Sequence, residues 1–407
     1  MTVSGFAGLR VAFVCDSLSP EASGGLVARR MISALVGWGA QVHALGIRPS
    51  RGGLVPIPGA ALREVAPRGP IDRSLQHFLR GPLVAAATAM MEESAAQVVH
   101  LASLEYAKPR FILEEARRRG ARVVVQPWVH NFYCEQGYDL LGGGACGRCA
   151  GGAFHRSWAS GCAAGVGQAL LHGTGRVLLR RAVLQADAAY STNTQLDSRL
   201  RAYGLPPERI VRGPLPFPGD RIEARHCEDG EEFVFHGQAK AMKGFPLLGE
   251  IVRRCSGVRF GIYPLDVTPA VRQRAGLAEP LQAGVRFDGD IRWSTGLAAR
   301  VARARGVLLP SVWPSTTEYA LLEALGWAKP VIAFDVGVNR DILVHRENAM
   351  VVPAGDVDAY AAAIRELDAD PALRRRVGAG GRRLFDALTA DAPLATALAA
   401  AYGIEAG

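Results

Sequence analysis

Short apolar runs alternate with longer amphipathic stretches through the first half of the chain. Runs of about four to six apolar residues are typical of buried strands, and apolar positions three and four apart are typical of helices. The predicted strands span residues 11–14, 42–45, 98–101, 123–126 and 188–191, and the predicted helices span about 26–37, 77–95, 107–119, 165–185 and 195–203. This alternation predicts a mostly parallel, doubly wound α/β sheet.

The same alternation restarts in the second half, after a segment rich in Pro, Gly and charge at residues 213–230. Strands are predicted at 233–235, 258–263, 285–288, 307–309 and 331–334, with helices at 243–254 and 319–327 and Ala-rich helices from 356 onward. We therefore expect two domains. Their predicted bounds are 1–215 and 232–380, joined by a linker at 216–231 and followed by helices at 381–407 that cross back to the first domain.

Composition narrows the class of protein further. No apolar run reaches the roughly 18–20 residues of a membrane span, and the first apolar run is too short for a signal peptide. Seven cysteines, an odd number, favour a reducing compartment over a disulfide scaffold. The sequence therefore predicts a cytoplasmic protein.

The net charge of +9 is concentrated in one half of the chain. Residues 1–215 contain 24 Lys and Arg against 14 Asp and Glu, whereas the rest contains 23 against 24. The excess predicts an anionic acceptor, or peripheral contact with an anionic membrane, on the N-terminal half; a solvated Arg-rich surface is the alternative. A nucleic-acid partner is not predicted, because no basic strip interleaved with aromatic residues is present.

The most informative segment is PSVWPSTTEYALLEALGWAKPVIAFD at residues 310–335. A buried strand ends at Pro310, a polar turn leads into a helix, and Lys329-Pro330 precedes the next strand. A helix that begins on Thr316 and Thr317 beside a strand's carboxyl end suits phosphate oxygens. The segment therefore predicts part of a nucleotide or phosphate site.

The same segment resembles the donor-site signature of the retaining glycosyltransferases of family 4, whose GT-B fold has two Rossmann-like doubly wound domains facing a cleft. In that family a Glu is followed eight positions later by a second Glu. Glu323 matches the second, and Ser315 stands in place of the first. The resemblance implies that Glu323 hydrogen-bonds the donor ribose and that position 315 lies beside the transferred sugar.

The substitution at position 315 leaves two interpretations open for Glu318, one helical turn away. Glu318 takes over the missing carboxylate, which makes Ser315 and Glu318 candidate catalytic residues. Alternatively, Ser315 to Glu318 form an S-x-x-E capping box, and Glu318 only satisfies the helix N-terminus.

Residues 236–244, HGQAKAMKG, resemble the G-R-x-x-x-x-K-G segment that holds the donor diphosphate in this family. Lys243 falls on the Lys, Gln238 replaces the Arg, and Lys240 can supply the missing charge. Fixed cations stabilise a departing nucleoside diphosphate, whose charge grows in the transition state. The alternative is that Lys243 only begins a surface helix, where the dipole disfavours a cation.

Two features of the first half also have counterparts in the family. Gly24 and Gly25 resemble its G-G loop beside the diphosphate, although any tight strand-to-helix turn uses glycine. His130 stands at the family's H-D position and is a candidate catalytic contact to the donor sugar or the acceptor. A packed or metal-binding histidine is the alternative.

Four cysteines, Cys134, Cys146, Cys149 and Cys162, fall within one Gly-rich stretch. A C-x-x-C pair flanked by two more cysteines has the ligand count of a tetrahedral thiolate site, so we predict a structural zinc ion that orders the loop. An iron–sulfur cluster fits the same ligands, and His155 can replace one cysteine. Four reduced or redox-paired thiols are the alternative.

Together these features predict retaining transfer of a hexose-type sugar from a nucleoside-diphosphate donor, UDP- or GDP-linked, to an acceptor bound by the N-terminal domain. By resemblance, the acceptor attacks on the face from which the diphosphate leaves, and no catalytic divalent metal is expected. The acceptor is anionic, lipid-linked or a small natural product. A non-catalytic GT-B scaffold, suggested by Ser315 and Gln238, and a redox or cluster protein based on the four cysteines stay open as alternatives.

Overall fold

The computed structural model describes residues 4–20, 22–48, 54–66, 69, 75–105, 108–142, 144–219, 222, 230–315 and 318–404. The strands are β1 Arg10–Cys15, β2 Gln41–Ile47, β3 Ala60–Val65, β4 Val98–Ala102, β5 Arg122–Gln126, β6 Leu140–Leu141, β7 Gly144–Ala145, β8 Ala188–Ser191, β9 Ile210–Arg212, β10 Glu232–Gln238, β11 Arg259–Leu265, β12 Val285–Phe287, β13 Gly306–Leu309, β14 Val331–Phe334 and β15 Met350–Val352. The α-helices are α1 Ser23–Gly37, α2 Pro82–Glu93, α3 Pro109–Arg118, α4 Arg156–Ala159, α5 Val166–Val183, α6 Thr194–Tyr203, α7 Phe245–Arg253, α8 Pro269–Arg274, α9 Leu297–Ala302, α10 Tyr319–Gly326, α11 Gly337–Ile342, α12 Val357–Ala369, α13 Pro371–Thr389 and α14 Asp391–Tyr402.

The chain divides into two compact units. The first comprises residues 1–139, 146–218 and 389–407, and the second comprises residues 140–145 and 219–388. The first unit contains a seven-stranded sheet in the order β3-β2-β1-β4-β5-β8-β9, with every neighbouring pair parallel. Its central strands are buried apolar runs, as expected where helices cover both faces of a parallel sheet.

The second unit contains a six-stranded parallel sheet in the order β12-β11-β10-β13-β14-β15. The strands most central to it, β10 and β13, are the two that precede the motifs singled out in the sequence. Because all strands run the same way, their carboxyl ends lie at one edge of the sheet, where open α/β sheets bind ligands. The predicted α/β class with parallel sheets is confirmed.

The predicted strands match observed strands, but three sheet strands were missed: β3, β9 and β15. Each lies at an edge of its sheet, and β3 and β9 are partly exposed rather than continuously buried. Polar residues in β3 and β9 break the apolar run on which the prediction depended, whereas β15 is a short apolar run of three residues that was overlooked. The predicted linker falls largely on residues outside the described part of the chain.

The last helix belongs to the first unit, where α14 packs on β5, β8 and β9. The His100 ring on β4 lies between two partners, with Nδ1 2.9 Å from the Tyr402 hydroxyl and Nε2 3.2 Å from Gln126 Oε1. Residues 371–402 pass the length and composition test for a membrane span. They form two helices, however, because Ala390 leaves the helical conformation with ψ 144°, and α14 is largely buried.

Candidate functional site

Two connections meet at the carboxyl edge of the second sheet. A short 3₁₀ turn, Ala241–Lys243, follows β10, and an irregular segment, residues 310–315, follows β13. The Met242 carbonyl accepts hydrogen bonds from the Ser311 hydroxyl at 3.2 Å and from the Val312 and Trp313 amides at 3.1 Å. These bonds fix the two motifs found in the sequence against each other.

Glycine is required where the turn joins α7. Gly244 has a φ of 71°, and a Cβ there would lie 1.7 Å from the Pro310 carbonyl oxygen. A side chain would therefore force the turn away from the segment after β13. The K-G pair of the motif thus has a structural reason: the glycine allows the close approach that places the lysine.

Lys243 and Glu318 form an ion pair between the two motifs. Lys243 Nζ lies 2.9 Å from Glu318 Oε1 and 3.1 Å from Oε2, so it donates to both carboxylate oxygens. The ammonium also lies 4.9 Å from the centroid of the Trp313 ring, an arrangement that favours a cation. The glutamate is buried, whereas the lysine keeps partial exposure. Lys243 is therefore a preorganised cation at the sheet edge, held by an internal anion.

The capping-box interpretation of Glu318 is wrong. The helix α10 begins at Tyr319, Glu318 is its N-cap residue, and no side-chain hydrogen bond caps the helix there. The carboxylate is instead engaged by Lys243. Ser315 lies outside the helix and is buried; its amide donates to the Trp313 carbonyl at 2.7 Å. Thr316 and Thr317 lie outside the described residues.

Glu323 is buried on α10 beside the end of β10. Its Oε2 lies 3.9 Å from His236 Nδ1, and both side chains are buried. The His236 ring faces Trp293 with centroids 6.3 Å apart, and Trp293 stacks on Trp327 at 5.5 Å. The sequence did not single out this aromatic group. Its only sequence signal is the position of His236 at a strand end, immediately before Gly237.

The two remaining candidates for the diphosphate sit on the same connection as Lys243. Gln238 is the last residue of β10 and is half-buried. Lys240 is exposed and precedes the 3₁₀ turn, and its carbonyl accepts from the Lys243 amide at 3.0 Å. The structure therefore brings Lys243 and Glu318 into contact and leaves the Lys240 side chain at the surface.

Gly24, Gly25 and His130 belong to the first unit. The helix α1 begins at Ser23, so the glycines form its first turn. A Cβ at Gly24 would lie 2.6 Å from the Trp128 ring, and one at Gly25 would lie 2.0 Å from the Ser19 carbonyl oxygen. Close packing therefore accounts for both glycines. His130 is fully buried in a 3₁₀ turn, with its ring 5.6 Å from that of Tyr133.

The four cysteines of the Gly-rich stretch are free thiols and half-buried. Burial, and then the charges of Cys134 and Cys146, raise the pKa of the Cys149 thiol to about 11. A raised pKa keeps the thiol protonated and unreactive at neutral pH. Among the described residues no group of three or more His, Cys, Asp or Glu side chains is arranged to hold a metal ion. The side chains as placed thus do not fit a metal ion, and the zinc site stays a prediction.

Two buried carboxylates fasten this cysteine stretch to neighbouring helices. Asp139 Oδ2 accepts from Arg199 on α6 at 2.8 Å. Glu135 pairs with Arg176 and with His172 Nδ1, at 2.7 Å from the latter, both on α5. Burial alone would raise the pKa of Glu135, but the His172 hydrogen bond and the Arg176 charge lower it to about 2. Glu135 is therefore ionised at neutral pH and anchors the stretch.

Part of the second unit matches a known protein family. Residues 230–370 match the family model described as glycosyl transferases group 1. The chain is 44% identical over 59 residues to the lipopolysaccharide core biosynthesis glycosyltransferase LpsD of Rhizobium meliloti, which is 14% of this chain and 17% of that protein. It is also 37% identical over 78 residues to the exopolysaccharide phosphotransferase SCO2592 of Streptomyces coelicolor, which is 19% of this chain and 8% of that protein.

The fold comparison covers nearly the whole chain. Anabaena HepE, solved with UDP and glucose, superposes with a TM-score of 0.68 over 96% of this chain and 98% of that one, at 12% identity. The curated relatives, by contrast, are matched over less than a fifth of their own length. The predicted GT-B class is confirmed by such likenesses. Residues 230–370 of this chain therefore match the glycosyl transferases group 1 family, within a chain that has the GT-B fold.

Proposed function

We propose that this protein is a retaining glycosyltransferase that moves a hexose-type sugar from a UDP-sugar to an acceptor bound by the first unit. The observation that carries the proposal is Lys243, a cation held at the carboxyl edge of the second sheet within the matched family domain. The donor diphosphate displaces the Glu318 carboxylate from Lys243 and binds the lysine in its place. A nucleotide base and ribose then extend toward Glu323.

A UDP-linked donor is preferred to a GDP-linked one because of the solved relatives. HepE was solved with UDP, with UDP and glucose, and with UDP-glucose. A trehalose-6-phosphate enzyme of Escherichia coli was solved with UDP-2-fluoro glucose, at a TM-score of 0.62 and 10% identity. Identities of 10% and 12% show a shared fold. The UDP-linked donor is proposed from that likeness.

In the proposed reaction the protein positions and stabilises, and forms no covalent bond to the sugar. The bond between the anomeric carbon and the donor phosphate breaks, and a bond to the acceptor oxygen forms on the same face. The acceptor proton passes to the leaving phosphate oxygen. Lys243 stabilises the charge that grows on the diphosphate, and orientation of both substrates supplies much of the remaining rate. A serine at position 315 is compatible with this route, because no protein nucleophile is needed.

The first experiment is a thermal-shift titration with UDP, GDP, ADP, CDP and dTDP. A ligand that binds only the folded protein raises its stability by about 2.7 kcal/mol at 100 times the dissociation constant. We expect UDP to give the largest shift and Glu323→Gln to reduce the UDP shift more than the shift from inorganic diphosphate. Equal losses for both ligands would count against the ribose contact.

Transfer itself is tested by release of UDP from UDP-glucose, with the product anomer followed by NMR. An α-linked product from the α-linked donor supports retention, and a β-linked product overturns it. Tight UDP binding without hydrolysis or transfer to any acceptor would support the non-catalytic scaffold. Absence of a response to all five nucleotides would remove the donor site.

A further inference from the structure

An uninterrupted basic and apolar stretch surrounds the cysteine loop of the first unit. Residues 140–186 contain five arginines and two histidines but no aspartate or glutamate. The whole chain, by contrast, has 38 acidic residues against 47 Lys and Arg. The stretch therefore adds only positive formal charge to its surroundings, and Glu135, just before it, pairs with Arg176 and His172.

One side of α5 within this stretch is apolar and exposed. Val166, Leu170 and Val177 are 52%, 66% and 39% exposed. Their spacing of four and seven residues places them on one side of the helix. The opposite side is buried on the core through Ala169, Leu179 and Val183.

Trp158 extends this apolar face. It is 55% exposed and lies on α4, which packs against α5. The contact is close, because a Cβ at Gly173 of α5 would lie 3.5 Å from Phe154 Cβ, just before α4. We define the docking face as Trp158, Val166, Leu170 and Val177.

Three exposed arginines belong to the same stretch of the chain as the docking face. Arg148, Arg156 and Arg181 are exposed, and none of the three forms an ion pair with a residue that the structure describes. Arg148 donates only to the Ser160 hydroxyl at 3.2 Å, and Arg156 to the Arg148 carbonyl at 3.5 Å. Their charges are therefore available to an external anion. The other two arginines are committed, Arg176 to Glu135 and Arg180 to the Tyr203 carbonyl at 2.7 Å.

We propose that the docking face binds the surface of an anionic lipid bilayer, with Trp158 and the α5 side chains at the acyl boundary and the three arginines at the headgroups. An exposed apolar helix side, in a stretch whose unpaired charges are arginines, matches the interfacial helices of peripheral membrane proteins. Tryptophan is enriched at the membrane–water interface, and the long apolar stem of arginine lets its guanidinium reach the headgroups.

The test measures cosedimentation of the full chain with vesicles of phosphatidylcholine, with and without phosphatidylglycerol. We expect binding only to the vesicles that contain phosphatidylglycerol. Each arginine near an anionic surface contributes about fivefold in affinity, so Arg156→Gln/Arg181→Gln should weaken binding about 25-fold. The charge-matched control Arg375→Gln/Arg383→Gln alters two exposed arginines of the second unit and should leave binding unchanged.

The apolar part is tested by Leu170→Gln, with Val344→Gln as its control at a site that is 51% exposed in the second unit. Leu170→Gln should weaken binding about tenfold at unchanged melting temperature, whereas Val344→Gln should not. No binding to anionic vesicles overturns the proposal. Binding that responds equally to both arginine pairs, or not at all to Leu170→Gln, also overturns it, since diffuse charge then suffices. Because no sugar nucleotide is added, the result is independent of the proposed transferase activity.

Discussion

At the scale of single residues, the segments that resemble the family's donor motif lose two of its charged residues, keep its Lys as Lys243 and pair that lysine with Glu318. The family's Arg is Gln238 and its first Glu is Ser315, but the structure pairs Lys243 with Glu318, three residues beyond the substituted position. The sequence predicted both residues but not their contact. The reason is that residues 310–315 are irregular, and side-chain direction in an irregular segment does not follow from spacing.

Lys243→Gln should weaken UDP binding by about tenfold to a hundredfold, because hydrogen bonds to charged groups contribute about 1.5–3 kcal/mol. Binding of uridine, which lacks the diphosphate, should change little. Isothermal titration calorimetry with both ligands checks this, and Arg383→Gln, at an exposed arginine elsewhere in the second unit, is the control. A similar loss for uridine would show that the substitution disturbs the whole site.

Glu318→Gln should strengthen binding of inorganic diphosphate by about fivefold, equal to about 1 kcal/mol, the upper range for a partly exposed ion pair. The physical reason is that the Glu318 carboxylate already binds the Lys243 ammonium, which the ligand must also bind. Competition titration with diphosphate measures the change. Weaker binding would mean that Glu318 orients Lys243 for the ligand and does not compete with it.

At the scale of elements, the anchoring of α14 on the first sheet depends on a neutral histidine. Burial lowers the pKa of His100 to about 3, although the Gln126 hydrogen bond acts in the opposite direction. The unfolded chain has an ordinary histidine pKa of about 6.5. Below that pH, His100 binds a proton in the unfolded state but not in the folded state. The free energy of unfolding therefore falls as pH falls from about 6.5 toward 3.

Urea unfolding should therefore show a loss of about 2 kcal/mol from this group between pH 7 and pH 5. His100→Asn should be less stable at pH 7, because Tyr402 and Gln126 lose a partner, but its stability should depend less on pH in this window. Glu135 does not contribute there, since its stabilising effect is lost only as pH falls below the usual carboxylate range. An unchanged pH dependence in His100→Asn would exclude this histidine as the cause.

The cysteine stretch is the second element whose state can be tested. Purified wild-type protein should contain about one zinc per chain if the four thiols draw together as a tetrahedral site, and Cys146→Ser should lose it. Cys255→Ser, a free buried thiol of the second unit, is the control. Metal analysis by mass spectrometry measures zinc, and a visible absorption band identifies an iron–sulfur cluster instead. Metal-free wild-type protein ends the prediction.

At the scale of the whole molecule, the strand and helix rhythm was sufficient to predict two parallel α/β sheets, because buried central strands are continuous apolar runs. The edge strands β3 and β9 were not predictable in this way, since polar residues break the run, and the three-residue apolar strand β15 was overlooked. The apolar face of α5 was also missed. Its residues fit a helical pattern equally well whether they face a core or solvent, and only the structure shows which side is buried.

The placement of α14 has a consequence for synthesis of the chain on the ribosome. The first sheet emerges early, but the helix that covers β5, β8 and β9 is made only after the entire second unit. Until then, the His100 ring faces the position that Tyr402 will occupy. The first unit is thus begun first and completed last, and any truncation before residue 391 leaves β5, β8 and β9 without this helix, an exposed apolar surface of the kind that promotes aggregation.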